Sequence, residues 1–116
     1  MHELAVSKSI LQLVLRHAQA GGAKKVLNVN LIVGEMRNIE ESWMQRYFDY
    51  ISVGTAAEKA VIKIRKVPVV FLCGDCGKKF TADIKDDKKI LCPFCSSFHY
   101  DLDSGRELII ESVAVR

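Results

Sequence analysis

Cys73-Gly74-Asp75-Cys76, the fifteen residues from Gly77 to Leu91, then Cys92-Pro93-Phe94-Cys95: this stretch decides how the chain is read. A C-x2-C turn aims two thiolates at one point. A hairpin between two such turns brings the pairs together as the four tetrahedral sulfur ligands that suit zinc. All four ligands are sulfur and no position is left for water, so the ion is expected to be structural rather than catalytic. A thioredoxin-like redox pair would need one C-x2-C at the start of a helix beside a βαβ unit, a context missing from this sequence. Cysteines acting as small apolar fillers would not generate the double spacing. Phe80 and Ile90 are expected to pack beneath the site as a small hairpin, too small for a core, so that zinc supplies most of its folding free energy. Lys78, Lys79, Lys88 and Lys89 are expected to offset the net negative centre that four thiolates leave around a divalent cation.

Outside this stretch the chain is ordinary. With 116 residues it has room for one compact core and a small appended lobe. Apolar residues make up 49% and charged residues 27%, the balance of a folding globular domain. The net charge of +3 is spread among 14 acidic residues, which gives no footprint for nucleic acid or an anionic membrane. Leu4 to Ala20 is interrupted by Lys8, Gln12, Arg16 and His17, unlike an export signal, and no uncharged run approaches membrane-spanning length. The cysteines are therefore read in a reducing compartment, the cytoplasm, where closely spaced pairs bind metal more often than they form disulfides.

The flanking segments predict an α+β main lobe. From Glu3 to Ala20, Leu4, Leu11, Val14, Leu15 and Ala18 recur at helical spacing, with Lys8, Gln12, Arg16 and Gln19 as the wet stripe and Gly21-Gly22 as the stop. In Val26 to Val33, Leu27, Val29, Leu31 and Val33 alternate with Asn28, Asn30 and Ile32, the period of a half-buried strand. Asn38 and Glu41 resemble a capping box for a second helix carrying Met44, Tyr47, Phe48 and Ile51 and ending near Gly54. Trp43, Tyr47 and Phe48 are assigned to packing against the sheet, and His17 to a semi-buried position beside Val6, Ile10 and Leu13. Ala60 to Val67 reads as a second strand stopped by Pro68, and Glu107 to Val115 as a third. The expected architecture is two helices on a three-stranded sheet, residues 1–67 and 106–116, with a rubredoxin-like or zinc-ribbon lobe inserted at 68–105. The Lys85-Asp86-Asp87-Lys88-Lys89 run is expected to be a solvated hairpin turn.

Met1-His2-Glu3 clusters nitrogen donors. An α-amine, backbone amides deprotonated on binding and an imidazole can enclose a divalent ion in a plane, which suits Ni(II) or Cu(II) better than zinc. Taken alone, a histidine near a terminus is more often a solvated side chain. However, Met1-His2-Glu3 opening an amphipathic helix, Gly34-Glu35 after the first strand and the late cysteine quartet together resemble the HypA/HybF family of hydrogenase nickel-incorporation accessories, over essentially the whole chain.

The resemblance implies a nickel metallochaperone. It carries transferable Ni2+ onto Met1, His2 and Glu3, and structural Zn2+ onto Cys73, Cys76, Cys92 and Cys95. It further implies a HypB-type GTPase partner and delivery to the large subunit of a nickel-iron hydrogenase, with urease and a urease accessory protein as further partners in some organisms. Some relatives associate by exchanging elements, which admits a homodimer. Glu40 resembles an acidic position that some relatives place near nickel, and it equally fits a carboxylate favoured by the helix dipole. Where relatives carry histidines beside the zinc cysteines, this chain has Gly77 and Ser96, and only His99 lies nearby. The competing reading is a zinc-ribbon interaction module for protein or nucleic acid. Weak net charge and the lack of interleaved basic and aromatic residues count against nucleic acid. With no phosphate-cradling glycine loop and no nucleophile elbow in the sequence, the chain is not expected to be an enzyme.

Overall fold

The computed structural model describes residues 3–82 and 89–116. Met1, His2 and residues 83–88, and with them the hairpin turn expected over most of the Lys85–Lys89 run, lie outside the described residues. The order is α1 (Glu3–Ala20), β1 (Val26–Gly34), a short 3-10 turn (Glu35–Arg37), α2 (Glu41–Ile51), β2 (Val61–Val67), β3 (Val70–Cys73), β4 (Lys79–Phe80), β5 (Tyr100–Ser104) and β6 (Leu108–Val115).

The first sheet runs β2-β1-β6. β1 and β2 are parallel, with Asn28 opposite Val61 and Gly34 opposite Val67. Parallel neighbours need a crossover, and α2 supplies it. β6 returns antiparallel to β1. The helices bury the sheet's inward side chains: Val6, Ile10 and Val14 of α1 and Met44 and Phe48 of α2 join Val29, Leu31, Val33 and Ile62 in one core. Phe48 is fully buried, a burial that contributes about 1.5–3 kcal/mol. The opposite face mixes polar residues with Ile32 and the exposed Ile109; there the Asn30 amide donates to Ser112 Oγ at 2.9 Å and Arg65 pairs with Glu111 at 3.9 Å.

Several expectations are corrected here. Leu27 is exposed and Val26 buried, because Leu27 is an extra residue between Val26↔Val115 and Asn28↔Ala114, and this bulge shifts the two-residue period. The capping box is not formed. Asn38 adopts φ 52° at the end of the 3-10 turn, Glu40 takes the N-cap position without a side-chain bond, and Glu41 Oε2 instead accepts the Ile64 N–H at 2.8 Å. Leu4 and His17 of α1 are exposed, since its buried seam runs through Val6, Ser7, Ile10, Leu11, Val14 and Ala18. Trp43 is 45% exposed and stacks on Tyr47 at 5.9 Å instead of packing on the sheet, whose contacts with α2 are taken by Met44 and Phe48.

The cysteine segment builds more than a hairpin. β4-β3-β5 form a second antiparallel sheet, with Phe71 opposite Phe80 and Leu102. Phe71, Phe80 and Tyr100 meet with ring centroids 5.1–5.7 Å apart, and Val69, Cys73 and Cys92 complete a second, small core. The architecture is thus α+β, two helices on a three-stranded mixed sheet with a zinc-ribbon-like lobe inserted before the last strand.

The two sheets join where β1 leaves Gly34 and the chain re-enters through Gly105. Gly34 N donates to Glu107 O at 2.7 Å and Met36 N to Gly105 O at 3.0 Å. Arg37 Nε reaches Arg106 O at 2.6 Å, and the Met36 side chain packs into the second core. Glu107 Oε1 accepts the Gly105 N–H at 2.7 Å; this bond and the residue's own backbone N–H hold the carboxyl below the usual glutamate range.

Candidate metal centre

The four cysteines sit on two matching loops. In the first, β3 delivers Cys73; Gly77 N donates back to Cys73 O at 3.1 Å, and Cys73 N donates to Lys78 O at 3.0 Å. In the second, Ser96 N donates to Cys92 O at 2.8 Å and Cys92 N to Ser97 O at 3.1 Å. Each loop closes through a residue in the left-handed region, Gly77 at φ 74° and Ser96 at φ 60°. Glycine adopts that conformation freely, whereas serine does so at a cost of about 1 kcal/mol.

These turns converge the sulfurs. All four lie within 4.8 Å of one another, with Cys73–Cys95 at 3.5 Å and Cys76–Cys92 at 3.6 Å. Four sulfurs each about 2.3 Å from a tetrahedral ion would be roughly 3.8 Å apart, so the donor set and its spacing fit zinc. Cys73 and Cys92 are buried and Cys76 and Cys95 exposed, which leaves the quartet at the surface of the small lobe.

Without a cation the quartet resists carrying four charges. The Cys76 N–H, with help from Asp75, lowers Cys73 to about 6 against the cost of burial. Cys95 is pushed up to about 12: the Ser97 N–H pulls it down, but burial and the neighbouring sulfurs outweigh it. Cys76 is also raised, the Lys78 N–H being outweighed by burial and by Cys73 and Cys92. At pH 7, therefore, Cys76 and Cys95 hold protons that a fourfold thiolate site must expel. Rebinding of zinc to the metal-free protein should release at least these two protons per ion, read by an indicator dye in weak buffer, and more where the metal-free lobe has come apart. Zinc affinity should accordingly fall as pH falls. Release of fewer than two protons would contradict the four-thiolate site.

A polar link between the two loops was missed in the sequence. Asp75 accepts a hydrogen bond from Ser97 Oγ and faces His99 Nδ1 at 3.4 Å, while His99 N donates to Ser97 Oγ at 2.9 Å and Gly74 N to His99 O at 2.7 Å. The Ser97 hydroxyl first, then His99, lowers the Asp75 carboxyl despite desolvation. The only signal in the sequence was an aspartate inside the first C-x2-C. The three described lysines expected to balance the centre have other partners: Lys79 pairs with Asp103 at 3.2 Å, Lys78 lies over the Phe94 ring at 4.7 Å and Lys89 over the Phe98 ring at 4.3 Å.

Of the N-terminal candidates, Glu3 opens α1 and, with Leu4, Ala5, Lys8 and Tyr47, lines a shallow depression between the helices. Met1 and His2 lie outside the described residues. A cleft of about 640 Å³ opens at the junction between Glu35, Asn38, Lys66 and Thr81, and none of the cysteines lines it.

Comparison with known proteins gives a consistent picture. Residues 1–115 match the sequence model of a family described as "Hydrogenase/urease nickel incorporation, metallochaperone, hypA". The chain is 30% identical over 115 residues to the hydrogenase maturation factor HypA of Dehalococcoides mccartyi, covering 99% of this chain and 94% of that one. It is 32% identical over 116 residues to the HypA of Caldanaerobacter subterraneus subsp. tengcongensis, covering 99% of each. Its structure resembles the solution structure of the Ni metallochaperone HypA from Helicobacter pylori, with a TM-score of 0.66 and 25% identity over 99% of this chain and 97% of that one. A second HypA solution structure, 23% identical, shares the fold with a TM-score of 0.72. Matched along nearly its whole length in sequence and in fold, the chain belongs to the HypA family.

Proposed function

We propose that the protein binds one Ni(II) at its N-terminus and delivers it during maturation of nickel-iron hydrogenase, while the cysteine quartet holds a structural zinc. The observation that carries the reading is the family match over residues 1–115, which spans both the N-terminal segment and the quartet. Nickel is held by the Met1 amine, a backbone amide nitrogen and the His2 imidazole, with Glu3 shaping the site. A planar nitrogen set of this kind favours Ni(II), and a site ahead of the first helix suits transfer by ligand exchange. Residues 1–67 and 106–116 act as the nickel lobe and 68–105 as the zinc lobe. The recipient is the hydrogenase large subunit, reached with a HypB-type GTPase in the cytoplasm, and urease is a second recipient in organisms that make it. Among the described residues no helix is long and apolar enough to cross a membrane.

Nickel titration tests this directly. Native protein is expected to take up about one tight equivalent, and His2→Ala, or one extra residue ahead of Met1, to reduce tight uptake to background with zinc retained. Uptake should weaken between about pH 8 and 6, because an α-amine near 7.7–8.0 and an imidazole near 6.5 take up protons there and lose their donor pairs. Undiminished uptake by the extended chain, or a titration flat over that range, would remove the N-terminal site.

A further inference from the structure

None of the proposed metal ligands lines the cleft of about 640 Å³ at the lobe junction. It opens where the two parallel strands β1 and β2 end: Val33 comes from the first, Lys66 from the second, and Glu35, Asn38 and Ile39 from the segment that leads into α2. Val69 and Thr81 of the inserted lobe close the other side. Open sheets with parallel strands bind ligands in the crevice outside the carboxyl ends of those strands, and boundaries between folded units are a second preferred place. The cleft satisfies both conditions, and its volume falls within the range of about 300–1,000 Å³ typical of small-molecule sites.

Its lining combines an apolar floor with two opposite charges. Val33, Ile39 and Val69 are buried and give the floor three aliphatic side chains. Glu35 and Lys66 are the charged residues among the described lining, one of each sign. On β2, Ile62 and Ile64 pack into the helix-side core, so Lys66, next in the two-residue period, lies on that same face with Val33 as its register partner. Ion pairs among the described residues join Arg65 to Glu111, Lys79 to Asp103 and His99 to Asp75, so Glu35 and Lys66 neither neutralise each other nor meet another charge. The Asn38 amide and the Thr81 hydroxyl are likewise without a side-chain hydrogen bond among the described residues.

We propose that this cleft binds a free α-amino acid with an aliphatic side chain. The ammonium of the ligand pairs with the Glu35 carboxylate and its carboxylate with the Lys66 ammonium, while Val33, Ile39 and Val69 take the side chain and Asn38 and Thr81 supply hydrogen bonds at the rim. One charge of each sign is what selects this class: a simple anion would face Glu35, and a simple cation or a metal ion would face Lys66. Because the ligand touches residues of both lobes, its binding also holds the inserted lobe against the main sheet.

The test is a titration of the full-length, zinc-bound protein with L-leucine, followed by amide chemical shifts. Two analogues are titrated in parallel: isocaproate, which lacks the ammonium, and isoamylamine, which lacks the carboxylate. L-Leucine is expected to give shifts that saturate below about 10 mM and that concentrate at Gly34, Glu35, Asn38, Val69 and Thr81. Each analogue should bind roughly tenfold more weakly or worse, because it leaves one charged group of the cleft without its partner. Glu35→Gln and Lys66→Met should weaken L-leucine binding by a similar factor, with zinc and nickel stoichiometry unchanged. Both residues are exposed, so both variants should keep the native dispersion of amide resonances. Shifts that do not saturate in the native protein overturn the proposal. So does binding of either analogue as tight as that of L-leucine, or native affinity in both variants.

Discussion

Gly34→Ala is expected to destabilise the protein by about 4 kcal/mol or more and to disrupt the seating of the inserted lobe on the main sheet. A Cβ at residue 34 would lie 2.0 Å from both the carbonyl carbon and oxygen of Gly105 and 2.4 Å from Arg106 N. All three are backbone atoms, so no side-chain rotation relieves the overlap and the crossing strands themselves must separate. Separation strains the bonds that define the junction, Gly34 N to Glu107 O and Met36 N to Gly105 O, and draws Met36 out of the small core. Gly105 cannot yield readily, because it sits at φ 118° and a position built as its Cβ lies 2.9 Å from Val69. Since a domain of this size is typically stable by only about 5–15 kcal/mol, the loss should lower the urea midpoint strongly or prevent isolation of folded protein. Gly21→Ala serves as the control: its Cβ would meet only ordinary contact, 3.5 Å from His17 O, so the change should stay within about 0.5 kcal/mol. Equal midpoints for the two variants would show that the glycine crossing does not hold the lobes.

The junction illustrates what a sequence discloses and what it withholds. Both helices and the three strands of the main sheet were legible, because each buries one face and so carries its period in the order of residues. Gly34 read as the end of the first strand and, with Glu35, as part of the family resemblance, and neither reading pointed to a close crossing. Its partner lies 71 residues later, at Gly105, and a close backbone crossing leaves no mark on local periodicity. Leu27 was misplaced for a related reason, since a bulge is set by the register of the neighbouring strand. In the cysteine segment the ligand spacing was explicit, yet Val70–Cys73 and Tyr100–Ser104 were too short and too mixed in polarity to signal the sheet that they form. Trp43 was assigned to the core because helical spacing identifies a face without saying which of two faces is inward. Met44 and Phe48 occupy that side, and the aromatic stripe next to them is left to solvent. The convergence of four sulfurs followed from the sequence because each C-x2-C fixes its pair locally, leaving only the pairs to meet. The Asp75–Ser97–His99 link depends on how the two loops face each other and could not be read beforehand.

Removing the zinc proposed for the quartet should unfold the small lobe while the helix-bearing lobe persists. The two cores differ greatly in what they can supply. The main core contains Val6, Ile10, Val14, Val29, Leu31 and Phe48 among its buried members, drawn from both helices and the sheet. Among the described residues the second core has five buried members, and two of them, Cys73 and Cys92, belong to the quartet itself. Apart from these cysteines, Phe71, Phe80, Tyr100 and a few aliphatic contacts must offset the conformational entropy of the whole lobe, residues 68–105, at roughly 1–2 kcal/mol per residue, which they cannot do. A structural zinc site typically contributes an apparent 10–16 kcal/mol near pH 7, which makes the folding of such a lobe conditional on the ion. Chelation, or Cys73→Ser and Cys92→Ser, should therefore collapse the dispersion of amide resonances from residues in β3, β4 and β5. Resonances from α1, β1, α2 and β2 should remain dispersed, and helical ellipticity should be nearly unchanged. Replacement of the exposed ligands Cys76 and Cys95 should have the same effect through the lost ion, since neither contributes to the buried core. A metal-free protein whose small-lobe resonances stayed dispersed would mean that the aromatic cluster folds unaided and that the quartet serves something other than cohesion. Loss of the main-lobe resonances together with the small lobe would instead show that Gly34 and Gly105 make the two cores one cooperative unit, and the Gly34→Ala variant would then imitate metal removal.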